Sequence, residues 1–306
     1  MFQEFYSLKE NPFMKTPNPR YLYKGTHHAE AFARLQFAVE ERELAVLTGE
    51  IGSGKTLLSR ALIDSLDDMY SVVLIINPRL SPLQLLRLIA QRLGAENPSR
   101  FKSDVVEQIN GLLCEYHDKG RCPVLILDEA QLIENRSTFD EIRLLTNFQL
   151  DDKNLLSLIL IGQPELNERL MLKPYRALRQ RIGIHFHLEP LDEAETKKYI
   201  LFRLKVAGGR DSIFTNEAMS RIYHLSGGIP REINNLCSSA LLEGFGRDAQ
   251  KIDTDVIEDV GRDLGYSLVS TPVVHDVVIM PVRKRRKRRR ISSARHIRRT
   301  KRGRRR

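Results

Sequence analysis

Cysteine is scarce in this chain. Cys114, Cys122 and Cys237 are the only three, widely spaced and with no C-x-x-C among them. That speaks against a disulfide framework and a zinc ribbon, and points to a reducing compartment with inert thiols. Long apolar runs are missing as well: none reaches the ~20 residues needed to cross a bilayer. The start lacks a positive stretch, since Met1-Phe2-Gln3-Glu4 puts an acid where a secretory signal is basic, so no signal peptide is expected. Acidic residues are absent from residues 283–306, which hold 16 Lys/Arg. Setting those 16 aside leaves 33 basic against 39 acidic residues, so the formal net charge of +10 describes a tail and the body is near −6. The 306 residues, 42% of them hydrophobic, suffice for one large or two modest domains with a real core.

What is present begins with Gly49-Glu50-Ile51-Gly52-Ser53-Gly54-Lys55-Thr56, which fits G-x-x-x-x-G-K-[ST]. Glycines let backbone N–H groups close around phosphates, the lysine reaches the β- and γ-phosphates, and the threonine hydroxyl holds Mg²⁺. Leu44–Thr48 before it reads as a buried strand. The segment from Leu57 onward reads as a helix whose N-terminal dipole favours the same anion. Strand, glycine-rich turn and helix therefore occur in the order a nucleotide site requires.

Further buried strands are expected at Val72–Ile76, Val124–Leu127, Leu155–Ile161 and Ile184–Leu188; unbroken apolar runs of this kind suit parallel strands covered on both faces. The second of them delivers Asp128-Glu129. Asp128 is placed to hold Mg²⁺ and Glu129 to polarise the attacking water. The third ends in Gly162-Gln163-Pro164, where Gln163 is a candidate sensor of the γ-phosphate. Leu178–Ile182 is expected to be helical and carries Arg179 and Arg181, either of which is a candidate finger acting on a neighbouring subunit's phosphates. Ser81-Pro82 reads as a helix start. The adjacent His27 and His28 precede an amphipathic helix; they cannot share a helix face and have no evident ligand partner, which speaks against a metal site.

From Asp192 onward only helices are expected. Asp192-x-x-Glu195 reads as a capping box, and Arg231, on the first turn of a later helix, is placed to reach back to phosphates. Cys237 lies among apolar residues at helical spacing and is expected in a core. Residues 1–26, rich in aromatics and prolines, read as an extended strap whose aromatics either pin it to the body or pack on an adenine ring. The division expected is 1–26 strap, 27–190 α/β ATPase domain, 191–265 helical lid, 266–282 linker and 283–306 disordered basic tail.

Taken together, these phrases resemble the AAA+ family, and within it secretion ATPases of the ExeA/GspA type; the pilus protein MshM and transposition-associated ATPases look similar. The resemblance covers roughly residues 1–265. It rests on Asn11-Pro12-Phe13, Thr16-Pro17, Gly49–Thr56, Asn77-Pro78, Asp128-Glu129-Ala130-Gln131, Arg143–Asn147, Gly162–Leu166, Gln180-Arg181-Ile182 and Gly228–Asn234. It implies a parallel α/β P-loop fold with a small all-α lid, and ATP hydrolysis with Mg²⁺ in a homo-oligomer. Gly49–Leu57 then form Walker A and the nucleotide cradle, Asp128 and Glu129 Walker B, Gln163 sensor 1 and Arg231 sensor 2, with Arg179 or Arg181 as the finger. Gln163 stands where Asn or Thr is commoner across AAA+ proteins. The function implied is assistance in assembling an envelope secretion or pilus system, from the cytoplasm or the inner face of the membrane. The alternative is a DNA-associated ATPase such as a transposition regulator. Proteins of the ExeA/GspA type usually continue into a membrane span; here His275, Asp276 and Pro281 interrupt the apolar residues of 266–282. For the tail, anionic lipid, nucleic acid and no partner at all stay open.

Overall fold

The computed structural model describes residues 1–14, 16, 18–150 and 153–266. The chain divides into a compact unit, residues 1–269, and a second unit, residues 270–306. The basic tail, the linker beyond Tyr266 and Pro17 of the Thr16-Pro17 phrase lie outside the described residues.

The compact unit opens with a short helix, α1 (Phe2–Phe5), and a single 3₁₀ turn at Pro19–Tyr21, where an unbroken extended strap is expected. Asn18 Oδ1 accepts from Arg20 N to start that turn. Helix α2 (Thr26–Glu40) takes in His27 and His28 rather than following them. Its buried residues His28, Ala31, Leu35, Ala38 and Val39 have the spacing of one helix face.

The chain then alternates through β1 (Leu44–Gly49), α3 (Lys55–Ser65), β2 (Tyr70–Ile76), α4 (Pro82–Leu93), α5 (Lys102–Asp118), β3 (Cys122–Asp128) and α6 (Arg136–Leu145). A small hairpin, β4 (Gln149–Leu150) with β5 (Lys153–Asn154), precedes β6 (Ser157–Gly162), α7 (Pro164–Met171), α8 (Arg176–Arg179) and β7 (Ile182–Leu188). Five of the strands form one parallel sheet in the order β2-β3-β6-β1-β7. The three inner strands are buried along their whole length, which is why they read as continuous apolar runs. Their residues alternate between two layers. Val46, Leu125, Leu127, Leu158 and Leu160 join the core shared with α4, α5 and α6. Ala45, Leu47, Val124, Ile126, Ile159 and Ile161 join the core shared with α2 and α3. Because β6 lies between β1 and β3, the C-terminal ends of all three strands meet at one edge, where parallel α/β sheets bind ligands.

Three local expectations are corrected. Strand β6 begins at Ser157 rather than Leu155, because Leu155 N donates to Phe148 O (2.9 Å) and closes the hairpin. The helix at Leu178 ends at Arg179, so Arg181 sits on the short link into β7. The capping box at Asp192 is only half formed. Asp192 Oδ1 accepts from Glu195 N (2.7 Å), but Glu195 Oε1 accepts from Thr26 N (2.7 Å) and caps α2 instead, where Gly25 offers no side chain. At Ser81 the box is complete, with Gln84 as its partner.

After β7 come α9 (Glu193–Val206), α10 (Asn216–Ser226), α11 (Pro230–Gly246) and α12 (Thr254–Asp263). Their core includes Ile200, Leu204, Ile222, Ile233, Leu236 and Cys237, and Tyr6, Leu8 and Phe13 from the N-terminal segment complete it. Burial pushes the Cys237 thiol well above the ordinary range. Gly228 admits no side chain: its φ is +74°, and a Cβ there would lie 1.9 Å from Leu191 O. Gly228 O also accepts from Leu191 N (3.0 Å), which ties the turn before α11 to the segment entering α9.

Candidate functional site

Strand β1 ends at Gly49, and the turn through Glu50, Ile51, Gly52, Ser53 and Gly54 leads into α3 at Lys55. Gly52 and Gly54 have φ of +85° and +106°, a region side chains avoid. The buried Lys55 Nζ donates to Gly49 O and Glu50 O, both at 2.7 Å, leaving one of its three donors. Burial pushes its pKa down, while the nearby carboxylates of Glu129 and Asp128 oppose that shift. Ser53 Oγ is buried without a partner among the described residues.

His28 lies beneath this turn, a placement that sequence reading missed. Its Nε2 is 2.9 Å from Ser53 O. A carbonyl only accepts, so Nε2 carries the hydrogen and Nδ1, buried without a partner among the described residues, is the bare nitrogen of the neutral ring. Burial holds the imidazole below its usual pKa.

Strand β3 brings in the acidic pair. Asp128 Oδ2 accepts from Thr56 Oγ1 (3.4 Å) and Oδ1 from Glu129 N (2.9 Å), and burial raises the Asp128 pKa. Glu129 adopts φ 56°, ψ 39°, the left-handed region that costs a non-glycine residue about 1–2 kcal/mol. Its Oε2 accepts from Gln163 Nε2 (3.3 Å) at the end of β6 and from Gln131 Nε2. Gln131 Oε1 in turn accepts from Gln163 N (3.1 Å). Gln131 therefore joins the acidic pair to Gln163; its position two residues after Glu129 was the available signal.

Arg231 stands at the start of α11, and its backbone N–H donates to Gly52 O (3.2 Å). A Cβ on Gly52 would lie 2.5 Å from Arg231 Cβ, so the helical region closes directly on the turn. Between them is a cavity of about 380 Å³. Gly52, Lys55, Thr56, Leu57, Glu129, Gln163 and Arg231 line one part of it; Asn18, Tyr21, Tyr199, Arg203 and Asn234 also contribute. Of the N-terminal aromatics, Tyr6 and Phe13 serve the helical core while Tyr21 lines the cavity. The donors fit a polyphosphate: a lysine ammonium, a helix N-terminus and a turn too tight for side chains. The paired oxygens of Thr56 and Asp128 are hard donors of the kind Mg²⁺ takes.

Arg179 and Arg181 do not line this cavity. Arg179 Nη1 donates to Met171 O (2.9 Å), and Arg181 Nη2 to Asn147 Oδ1 (2.8 Å). Both precede β7, whose Ile182 pairs with Leu44 and whose Leu188 pairs with Gly49. The length of β1, roughly 17 Å at about 3.3 Å per residue, separates them from the turn. Arg181 instead lines a second cavity, of about 280 Å³, with Arg42 and Asn154.

Residues 39–170 match the AAA domain family. The chain is 39% identical over 255 residues to general secretion pathway protein A of Aeromonas hydrophila, a match spanning 82% of this chain and 46% of that protein. The chain thus spans less than half the length of that relative. Among solved structures, Cdc6p of Pyrobaculum aerophilum matches with a TM-score of 0.62 at 16% identity, over 82% of this chain and 70% of that one. The RuvB Holliday junction branch migration motor of Thermotoga maritima matches with a TM-score of 0.54 at 20% identity, over 78% and 70%. These two likenesses establish the fold: a P-loop α/β sheet followed by a helical region.

Proposed function

The chain belongs to the AAA+ family, in the branch that includes general secretion pathway protein A, and on that premise we propose that it binds and hydrolyses ATP with Mg²⁺. The observation that carries this reading is the meeting of Lys55, Thr56, Glu129, Gln163 and Arg231 around one cavity, with Asp128 bonded to Thr56. The backbone from Gly49 to Leu57 cradles the phosphates, and the remaining Lys55 donor serves the β- and γ-oxygens. Thr56 and Asp128 hold Mg²⁺, which when bound neutralises charge on the phosphates. Glu129 takes the proton of the attacking water, and Gln163 senses the terminal phosphate through the amide that now meets Glu129. Arg231 couples the helical region to the nucleotide. Arg179 or Arg181 acts in trans, on a neighbour's cradle. Lys55→Ala is expected to abolish ATP binding in a titration. Glu129→Gln is expected to keep binding and lose turnover; full turnover would place the base elsewhere.

The relative's name supports service in a secretion pathway; we extend this to assembly of an envelope secretion or pilus system, with the protein in the cytoplasm or at the inner face of the membrane. Among the described residues no helix is long and apolar enough to cross a membrane. A DNA-associated ATPase is the second reading: the 16 Lys/Arg of residues 283–306 suit phosphate contacts, and those can be to nucleic acid or to anionic lipid. ATPase stimulation by duplex DNA or by anionic vesicles, with and without residues 283–306, separates the two. Stimulation by DNA alone, lost on truncation, would sink the secretion reading.

A further inference from the structure

Away from Lys55, the cavity meets a buried polar chain to which the site described above gives no role. Arg203 is buried, 5% exposed, and no carboxylate lies within ion-pair distance of it among the described residues. A buried guanidinium is costly unless its donors are used. Nε donates to Pro12 O (2.6 Å) and Nη1 to the Tyr199 hydroxyl (2.7 Å). Tyr21 and Tyr199 offer their ring faces at 4.7 and 5.5 Å. Tyr199 OH is 3.0 Å from Asn234 Oδ1.

The direction of this chain is forced. Arginine has no acceptor, so the Tyr199 oxygen accepts from it and the Tyr199 hydrogen goes onward. Asn234 must then turn Oδ1 to Tyr199, which fixes its amide and leaves its NH₂ as the outward group. That NH₂ makes no hydrogen bond among the described residues, and Asn234 lines the cavity three residues after Arg231 on the same helix. Burial also pushes the Tyr199 pKa up, which keeps the hydroxyl hydrogen in place.

We propose that Asn234 is the residue that recognises the base of the nucleotide, donating its amide N–H to a ring-nitrogen acceptor of a purine, and that Tyr199 and Arg203 are positioning residues that aim it. This rests on the nucleotide reading of the cavity. It explains why Arg203 lacks a carboxylate: an acid at that place would accept the Arg203 donor, and Tyr199 would no longer be directed. It also makes the N-terminal segment part of base recognition, because Pro12 and Tyr21 hold Arg203.

The test compares ATP with inorganic tripolyphosphate, which has the phosphates and no base, by titration on the full chain. Asn234→Leu and Tyr199→Phe are each expected to weaken ATP about tenfold, the size of one lost hydrogen bond, and to leave tripolyphosphate within about twofold. A parallel loss of both ligands, or no loss of either, would overturn the proposal, since a purely structural role does not distinguish them. Wild-type protein that binds neither ligand would instead overturn the phosphate cradle itself. Should the variants not fold, the unaltered protein is titrated with ATP analogues in which N1, N3 or N7 is replaced by CH. One of the three is expected to bind about tenfold more weakly than ATP, and equal binding by all three would refute the proposal.

Discussion

The side chains that settle the behaviour of Glu129 are two amides, Gln131 and Gln163, both on the same oxygen. A carboxylate held by two donors at a left-handed backbone position is aimed, and aim matters for a general base because proton transfer needs hydrogen-bond reach. Gln131→Ala is expected to lower kcat by about 10- to 100-fold with little change in ATP affinity, as misplacement of a reacting group by about 1 Å can cost that much. Gln131→His, which keeps an N–H donor, is expected to recover part of the rate. His28 makes a different prediction. Its folded pKa lies below the ordinary value of about 6.5, so the unfolded chain binds the extra proton first. The stability it confers is complete above about pH 6.5 and is lost as pH falls toward the folded value. His185 is shifted the same way, by burial and the neighbouring His187, so the difference between chains is the informative quantity. The thermal midpoint of wild type is expected to fall more steeply from about pH 7 to 5 than that of His28→Gln; parallel curves would rule out His28 as the source.

At the scale of elements, one contact joins the helical region to the start of α2: Glu195 Oε1 capping Thr26 N. Glu195→Ala removes that cap and should cost about 1 kcal/mol, read as a lowered midpoint in denaturant. Phe13→Ala empties a fully buried ring site in the helical core and should cost about 3–5 kcal/mol. These contacts also mark what the sequence could and could not convey. Strands β1, β3 and β6 were legible because each is buried on both faces and so is apolar throughout. The place of Asp128 and Glu129 was legible because the pair follows such a run downstream of the Gly49–Thr56 turn; by itself, a carboxylate pair after a strand suits a helix cap equally well. Glu195 was misread because its local signal, three residues after Asp192, suits a capping box equally well. Its real partner is 169 positions away, and no periodicity reports that. His28 and Arg203 were hidden for the same reason: each acts through long-range contacts, with Ser53 O and Pro12 O. The hairpin at Gln149–Asn154 was too short for a strand pattern to register.

For the whole molecule the question is where a finger arginine would come from. Within one chain the sheet places Arg179 and Arg181 at the end of β1 opposite its own turn, so neither can complete its own cavity without crossing the length of the strand. Arg231 comes from the helical region and fills a different side. A neighbouring copy is therefore the source the proposed mechanism needs. Of the two arginines, Arg179 is partly covered and bonds to the end of α7 through Leu170 O and Met171 O, while Arg181 is exposed and, among the described residues, is held by Asn147 alone. The more exposed Arg181 is the better supplied for an approach to another chain, and Met171 and Leu172, both exposed, lie on the Arg179 side of that surface. If hydrolysis takes place between copies, Arg181→Ala and Glu129→Gln should each be inactive alone. Mixed, they should recover part of the wild-type rate, because one kind of mixed interface has Glu129 on one side and Arg181 on the other. Recovery should rise with the proportion of mixed interfaces, reach a maximum near equal amounts, and vanish when both substitutions are carried by one chain mixed with neither partner. An oligomer that assembles normally yet shows no recovery at any ratio would locate the whole catalytic set within a single copy.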